Sequence, residues 1–355
     1  MKYYSTRNKQ LTSSLKEAVM RGLAPDGGLY MPVRVPVLTR EELERTRDMN
    51  LTELAVTLSG KLFEGDLPPA ALATLSAEAV NFDTPVVKVE DRIYALELFH
   101  GPTLAFKDVG ASFMARLLGH FTAGLKRPVH VLVATSGDTG SAVANGFLGV
   151  EGVKVHVLYP SGGVSELQEK QFATLGDNIT ALEVQGTFDA CQQLVKQAFS
   201  DEQLRSRMIL TSANSINLAR FMPQAFYYFR AWNQVQKDPL VIAVPSGNFG
   251  NLTAGFMARD MGLPVHQFLA PSNANDVVPE YLETARFRPR PSIPTIANAM
   301  DIGNPSNFER ILDMFDHKHE RITRHLAGMK FTDTQIREII RRVYHETGYT
   351  CDPHG

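Results

Sequence analysis

Three stretches carry residues whose types and spacing could do chemistry. The first is His100-Gly101-Pro102-Thr103-Leu104-Ala105-Phe106-Lys107-Asp108. A lysine set between Phe106 and Asp108, just after an apolar run and a Gly-Pro turn, can be drawn partly out of water. Desolvation disfavours its ammonium, which is what an amine that forms Schiff bases requires. The same spacing also suits a surface lysine whose charge pairs with Asp108. The other two stretches are Gly-rich turns, Thr135-Ser136-Gly137-Asp138-Thr139-Gly140-Ser141 and Ser246-Gly247-Asn248-Phe249-Gly250-Asn251. A turn between a buried strand and a helix gathers backbone N–H groups and the positive end of a helix dipole at one point, where an anion binds. The alternative is that the glycines only permit tight strand-to-helix turns. Neither turn fits G-x-G-x-x-G or G-x-x-x-x-G-K-[ST], which removes the main support for a dinucleotide or P-loop site. Ser246, Asn248 and Asn251 are neutral donors suited to a phosphate, whereas Asp138 repels a dianion unless it faces away.

Groups of this kind need a scaffold, and the surrounding pattern supplies one. Residues 129–134, 153–158 and 179–184 are short apolar runs, and 208–210 is strand-like. Between them lie helical segments over 142–148, 165–175 and 188–199, the second with Ser165 and Gln168 as a capping box and Gly176 as its stop. Apolar strands alternating with helices imply right-handed βαβ units and a parallel sheet buried on both faces. A second α/β unit opens with the strand 240–244, passes through the Ser246–Asn251 turn into a helix ending near Met261, and continues with the strand 265–270. Val131, Ser136, Gly137, Gly140 and Ala144 recur at the same spacing as Val241, Ser246, Gly247, Gly250 and Ala254, so similar turn chemistry is used twice. Residues 1–80 read as mainly helical, with a turn at Pro25-Asp26-Gly27-Gly28, a capping box at Thr39 and Glu42, and a break at Pro68-Pro69. Residues 85–99 read as two short strands around Glu90-Asp91-Arg92. Residues 271–305, rich in Pro, Asn and Ser, read as a long connection, and 332–346 as a capped amphipathic helix ended by Gly348.

Composition narrows the functional classes. The 355 residues suggest about two domains. Hydrophobic residues at 44% and charged residues at 21% are ordinary globular usage. With 36 Lys+Arg against 38 Asp+Glu the net charge is -2, and no sustained basic stripe offers counterion release, so no nucleic-acid partner is expected. The tract Arg286-Phe287-Arg288-Pro289-Arg290 reads as a solvated loop. Cys191 and Cys351 are too few for a disulfide framework or a C-x-x-C metal site, and a reducing, cytoplasmic location is the expectation. The polar N-terminus and the lack of a long apolar stretch point away from a membrane. His317 and His319, at i and i+2, face different sides of a helix, so no metal is expected.

Taken together, the Lys107 stretch and the two turns resemble threonine synthase of the longer bacterial and fungal type. Ala24-Pro25-Asp26-Gly27-Gly28-Leu29-Tyr30, Asn214-Ser215-Ile216-Asn217-Leu218-Ala219-Arg220 and Asn298-Ala299-Met300-Asp301-Ile302-Gly303-Asn304-Pro305-Ser306-Asn307 agree with the same family, in the family's order. The resemblance implies a fold type II pyridoxal 5'-phosphate (PLP) enzyme with a tryptophan-synthase-β-like fold, turning O-phospho-L-homoserine and water into L-threonine and phosphate. It implies that Lys107 holds PLP covalently as a Schiff base and then moves protons at Cα and Cβ. Ser246, Gly247, Asn248, Phe249, Gly250 and Asn251 match the family's cofactor-phosphate loop. Thr135, Ser136, Asp138 and Thr139 lie in the stretch matching the loop that grips the substrate carboxylate.

Asn214, Ser215, Asn217 and Arg220 are expected near the substrate phosphate, because a fixed guanidinium suits a leaving dianion; the alternative is that the asparagines cap the helix leading to Arg220. The implied organisation is two open parallel-sheet α/β domains with a helical N-terminal region. That region covers 1–80, a large PLP-binding domain takes 81–110 and 212–355, and a smaller substrate-gripping domain takes 111–211. The family's pattern runs on into a C-terminal segment whose hydroxyl residue meets the pyridine nitrogen; the sequence stops at Gly355, so no residue is assigned that role. A related phospho-lyase or dehydratase, an anion sensor, and an α/β scaffold with purely structural turns are the competing readings.

Overall fold

Apolar runs bounded by turn residues become strands, and capped periodic segments become helices, in the computed structural model, which describes residues 1–355. In chain order these are β1 (Tyr3–Ser5), β2 (Asn8–Ser13), α1 (Leu15–Arg21), β3 (Tyr30–Pro32), α2 (Arg40–Arg45), α3 (Leu51–Leu62), α4 (Pro69–Ala79), β4 (Val86–Glu90), β5 (Ile93–Leu96), α5 (Lys107–Thr122), β6 (Val129–Ala134), α6 (Asp138–Phe147), β7 (Val153–Pro160) and α7 (Glu166–Ala173). They continue with β8 (Ile179–Val184), α8 (Phe188–Ser200), α9 (Glu202–Arg207), β9 (Ile209–Ser212), α10 (Leu218–Phe221), α11 (Ala225–Val235), β10 (Leu240–Ala243), α12 (Gly250–Asp260), β11 (Val265–Ser272), α13 (Val277–Thr284), α14 (Phe308–Met314), α15 (His319–Thr323), β12 (Leu326–Lys330) and α16 (Asp333–Thr347). Two units result, one of residues 1–36, 49–84 and 98–226, the other of 37–48, 85–97 and 227–355.

The first unit is built on a parallel sheet of order β8-β7-β6-β9. Strand alternation sends Leu132, Ala134 and Leu158 to one face, where they pack with Cys191 and Val195 of α8. Val131, Val133, Val155 and Val157 take the other face, fully buried, with α5 and α6 nearby. Each such side chain is worth about 1.5–3 kcal/mol relative to exposure. Covering both faces is why the inner strands β6 and β7 are rich in buried valine, while the edge strand β8 is largely exposed. At the lower end of the α8 face the rings of His130 and His156 stack 5.3 Å apart, with Nδ1 of the first 2.9 Å from Nε2 of the second. The expected capping box of Ser165 and Gln168 opens α7. Helix α6 starts four residues before its expected position, because Gly137, at φ 139°, turns the chain so sharply that Asp138 is already helical.

The same unit holds a small antiparallel sheet of order β2-β1-β3, in which Tyr3 lies opposite Ser13 and Pro32. Residues 1–80 carry the expected helices α1 to α4, Pro69 serving as a first helical residue, yet the reading as mainly helical misses this sheet. β1 and β3 have only three residues each, β2 is largely polar, and β3 pairs with β1 from well along the chain, so no apolar run announces them.

The second unit has a parallel sheet of order β10-β11-β12 and the hairpin β4–β5. Phe268 of β11 meets Phe256 edge-on at 4.8 Å and Tyr228 at 6.0 Å. Trp232 is 1% exposed; its Nε1 donates to Asp238 Oδ1 at 2.6 Å, and the Arg47 guanidinium lies 3.8 Å above its ring. Helix α13 falls inside the stretch expected to be a connection. Pro279 disguises it, although a proline in the first helical turn removes an N–H that has no intrahelical acceptor anyway. Arg290 of the basic tract is tied to Asp276 and Glu280 rather than solvated. His319 Nε2 sits 2.9 Å from the Leu282 carbonyl and 3.1 Å from that of Tyr281. Among the described residues no three potential metal ligands cluster, and no helix is long and apolar enough to cross a membrane.

Candidate active site

Lys107 is the first residue of α5, and the chain before it is folded around its neighbour. Asp108 is buried, its carboxylate accepting hydrogen bonds from Thr103 N at 2.9 Å and Thr103 Oγ1 at 2.5 Å. Burial pushes the Asp108 carboxyl up from its usual range, against the opposing effect of the Thr103 bonds and the charge of Arg220. Asp108 is thereby spent on fixing the helix start, which overturns the simple Lys107–Asp108 pairing. Lys107 Nζ reaches instead to Asp138 Oδ2 at 2.9 Å, with its side chain 16% exposed and the Phe106 ring 4.9 Å away.

This pairing also explains how an acid is tolerated in a turn expected to face an anion. Asp138 begins α6 and spends its charge on the lysine, while its Oδ1 accepts from Gln168 Nε2 at 2.6 Å. Thr135, buried at the end of β6, is consumed inside the turn: its Oγ1 donates to the Gly137 carbonyl and accepts from the N–H groups of Gly137 and Gly140 at 3.0 and 2.8 Å. Ser136 and Thr139 are half-buried, and their hydroxyls make no hydrogen bond among the described residues. The sequence places four hydroxyl or acidic groups here together; the geometry divides them into a shaping residue, a lysine partner and two open hydroxyls.

The 214–220 stretch follows β9 in the same unit. Asn217 caps α10 through Ala219 N at 3.1 Å and donates to the carbonyls of Val19 at 2.9 Å and Ser212 at 3.1 Å, so it is wholly structural in its contacts. Asn214 Nδ2 donates to the Ala134 carbonyl at 3.1 Å, which ties this stretch to the residue before Thr135. Arg220 is 3% exposed; its Nη1 donates to the Ala213 carbonyl at 2.5 Å and its Nε has no partner. Burial pushes the guanidinium down to about 10, opposed by the charge of Asp108.

In the second unit the Ser246–Asn251 turn joins β10 to α12. Ser246 Oγ donates to the Val244 carbonyl and to Asn251 Oδ1, both at 3.0 Å, and Asn251 Nδ2 donates to the Pro245 carbonyl at 2.8 Å. Asn248 accepts from Ser306 N at 2.7 Å through Oδ1 and from Asn307 N at 3.2 Å through its carbonyl. A Cβ on Gly247 would stand 2.7 Å from Met300 Cα, so only glycine lets the 299–302 backbone press against the turn. Phe249 caps α12 in the left-handed region, at φ 62°. The two Gly-rich turns therefore differ: their left-handed residue falls at a different place in each, and α12 starts two positions later than α6 would place it. Residues 298–307 act here as the outer wall of the turn, a role the sequence signals only through the resemblance.

A parallel α/β chain with a lysine at one helix start and an acid-free Gly-rich turn at another has the make-up of a pyridoxal-phosphate enzyme. Residues 78–355 match the family described as "Pyridoxal-phosphate dependent enzyme", and residues 2–80 match the one described as "Threonine synthase N terminus". The chain belongs to the threonine synthase family of PLP-dependent enzymes. It is 44% identical to the threonine synthase of Haemophilus influenzae over 358 residues, covering 100% of this chain and 83% of that relative. The crystal structure of threonine synthase from Escherichia coli superposes with a TM-score of 0.93 at 42% identity, covering 100% of this chain and 82% of that one. A PLP-bound threonine synthase from Brucella melitensis gives 0.95 at 34% identity, with 100% and 83% covered.

The residues present fit that cofactor. The Ser246–Asn251 turn contains no acid, Ser246 and Asn251 bond within it and hold its shape, and the left-handed Phe249 leads directly into the positive end of α12, as a phosphate requires. Lys107 supplies a primary amine on a rigid helix start, with a carboxylate beside it.

Proposed function

We propose that this chain makes L-threonine and phosphate from O-phospho-L-homoserine and water, in the cytoplasm, with Lys107 as the amine that holds PLP. The observation that carries the reading is the 44% identity to a threonine synthase along the entire chain. When bound, PLP supplies an electron sink for negative charge developing at the substrate's Cα and Cβ. Lys107 Nζ serves as base when neutral and as acid when charged, and Asp138 Oδ2 at 2.9 Å holds it in place. Backbone N–H groups of the Ser246–Asn251 turn and the α12 dipole would hold the cofactor phosphate. Ser136 and Thr139 would take the substrate carboxylate, with Thr135 fixing the turn that presents them. Arg220, buried and with one N–H unspent, would take the substrate phosphate as it leaves, and Asn214 and Asn217 would keep its stretch in place. Functionally, 81–110 and 212–355 would form the cofactor part, 111–211 the substrate-gripping part, and 1–80 an N-terminal region.

The test is to incubate the chain with PLP and O-phospho-L-homoserine and follow phosphate and threonine together. Equal amounts of both are expected, with borohydride fixing a pyridoxyl group on Lys107 and Lys107→Ala losing about a thousandfold or more in rate. Phosphate released with a keto acid in place of threonine would overturn the reading in favour of a phospho-lyase.

A further inference from the structure

Helix α7 is opened by a capping box whose third residue, Gln168, does two jobs at once. Its Oε1 accepts from Ser165 Oγ at 3.1 Å and Ser165 N at 3.4 Å, which satisfies the helix start. Its Nε2 donates to Asp138 Oδ1 at 2.6 Å, on the carboxylate whose other oxygen holds Lys107 Nζ at 2.9 Å. The side chain is pressed against the turn that bears Asp138: a Cβ on Gly137 would stand 2.4 Å from Gln168 Oε1. Ser141 Oγ also donates to the Gln168 carbonyl at 3.3 Å, tying the α7 backbone to α6.

A capping box accepts glutamate as readily as glutamine at this position. Only the amide, however, has a donor for Asp138; a glutamate would set two carboxylates against each other at hydrogen-bond distance. The choice of glutamine is thus explained by Asp138 and not by the helix. We infer that Gln168 is a positioning residue for the reaction, fixing the Asp138 carboxylate in the orientation that holds the Lys107 amine. It acts through Asp138 and touches neither reacting atoms nor cofactor. The inference rests on the reading of Lys107 as the cofactor amine.

The experiment separates the two jobs. The full chain, freed of cofactor, is reductively methylated across a pH series, and the peptide bearing Lys107 is quantified by mass spectrometry. Gln168→Ala releases the carboxylate, so Lys107 labels roughly threefold faster at about pH 8. Gln168→Glu keeps the cap but adds a second acid; labelling there falls roughly threefold, and the two carboxylates titrate as a pair. Ser165→Ala removes the cap hydroxyl and leaves the amide donor, so the thermal midpoint drops while Lys107 labels as in the parent chain. Parent-like labelling in Gln168→Glu at every pH, or a shift in Ser165→Ala as large as in Gln168→Ala, would overturn the inference. Failure of the underlying reading looks different: borohydride then leaves no pyridoxyl group on Lys107 of the PLP-loaded parent chain, whatever the labelling pattern.

Discussion

At the scale of single residues, the site shows how few side chains are left for a ligand once the turns have been built. Thr135, Asn217, Ser246 and Asn251 all read from sequence as potential ligand contacts, and each spends its polar atoms on the backbone around it. A sequence records that a residue is polar, whereas which partner it takes is fixed only by the fold. Lys107 with Asp138, and Arg220 beside the buried Asp108, are the contrasting cases, charged groups held in partly or fully buried positions. Glycine contributes at this scale through absence. Gly247→Ala forces the turn away from Met300, and overpacking of this kind costs about 1–3 kcal/mol. The expected result is PLP binding weakened roughly tenfold, about 1.4 kcal/mol, in an absorbance titration. Unchanged affinity would mean that the 299–302 backbone yields without moving the turn.

At the scale of elements, legibility follows locality. Strands β6 and β7 could be read because they lie inside the sheet with their valines buried, and α7 and α16 because a capping box announces them. Helix α13 is hidden by Pro279, β1 and β2 by being short or polar, and β3 by pairing with a segment distant in sequence. The pairing of Lys107 with Asp138 was illegible for the same reason, since it needs α5 and α6 to be brought together. The sheet also carries a titration of its own. Burial lowers His130 and His156 below the usual histidine range of 6.5, helped by Lys154 at both rings and by His156 at the first. The unfolded chain therefore takes up protons near 6.5 that the folded sheet refuses, so stability present above that pH is lost as the pH falls below it. We expect stability to fall between about pH 7.5 and about pH 5.5. Urea unfolding at the two pH values measures it, and the double substitution His130→Gln with His156→Gln should flatten the difference.

At the scale of the molecule, a cofactor that binds only the folded chain must raise its stability. With PLP at about a hundred times its dissociation constant the gain is about 2.7 kcal/mol, or about 4 °C in the thermal midpoint followed by far-UV circular dichroism. Lys107→Ala should lose most of that rise while melting normally without cofactor. An equal rise in that variant would move the attachment point elsewhere.

The single tryptophan of the sequence adds a second view of the same transition. Trp232 is enclosed by Arg47 and Asp238 within the second unit, so its fluorescence is blue-shifted while that unit is intact and shifts to the red when it opens. Circular dichroism averages over every helix and strand, whereas the emission records one unit alone. The chain therefore carries its own optical label, and the gap between its two melting curves measures how far the two units unfold as one.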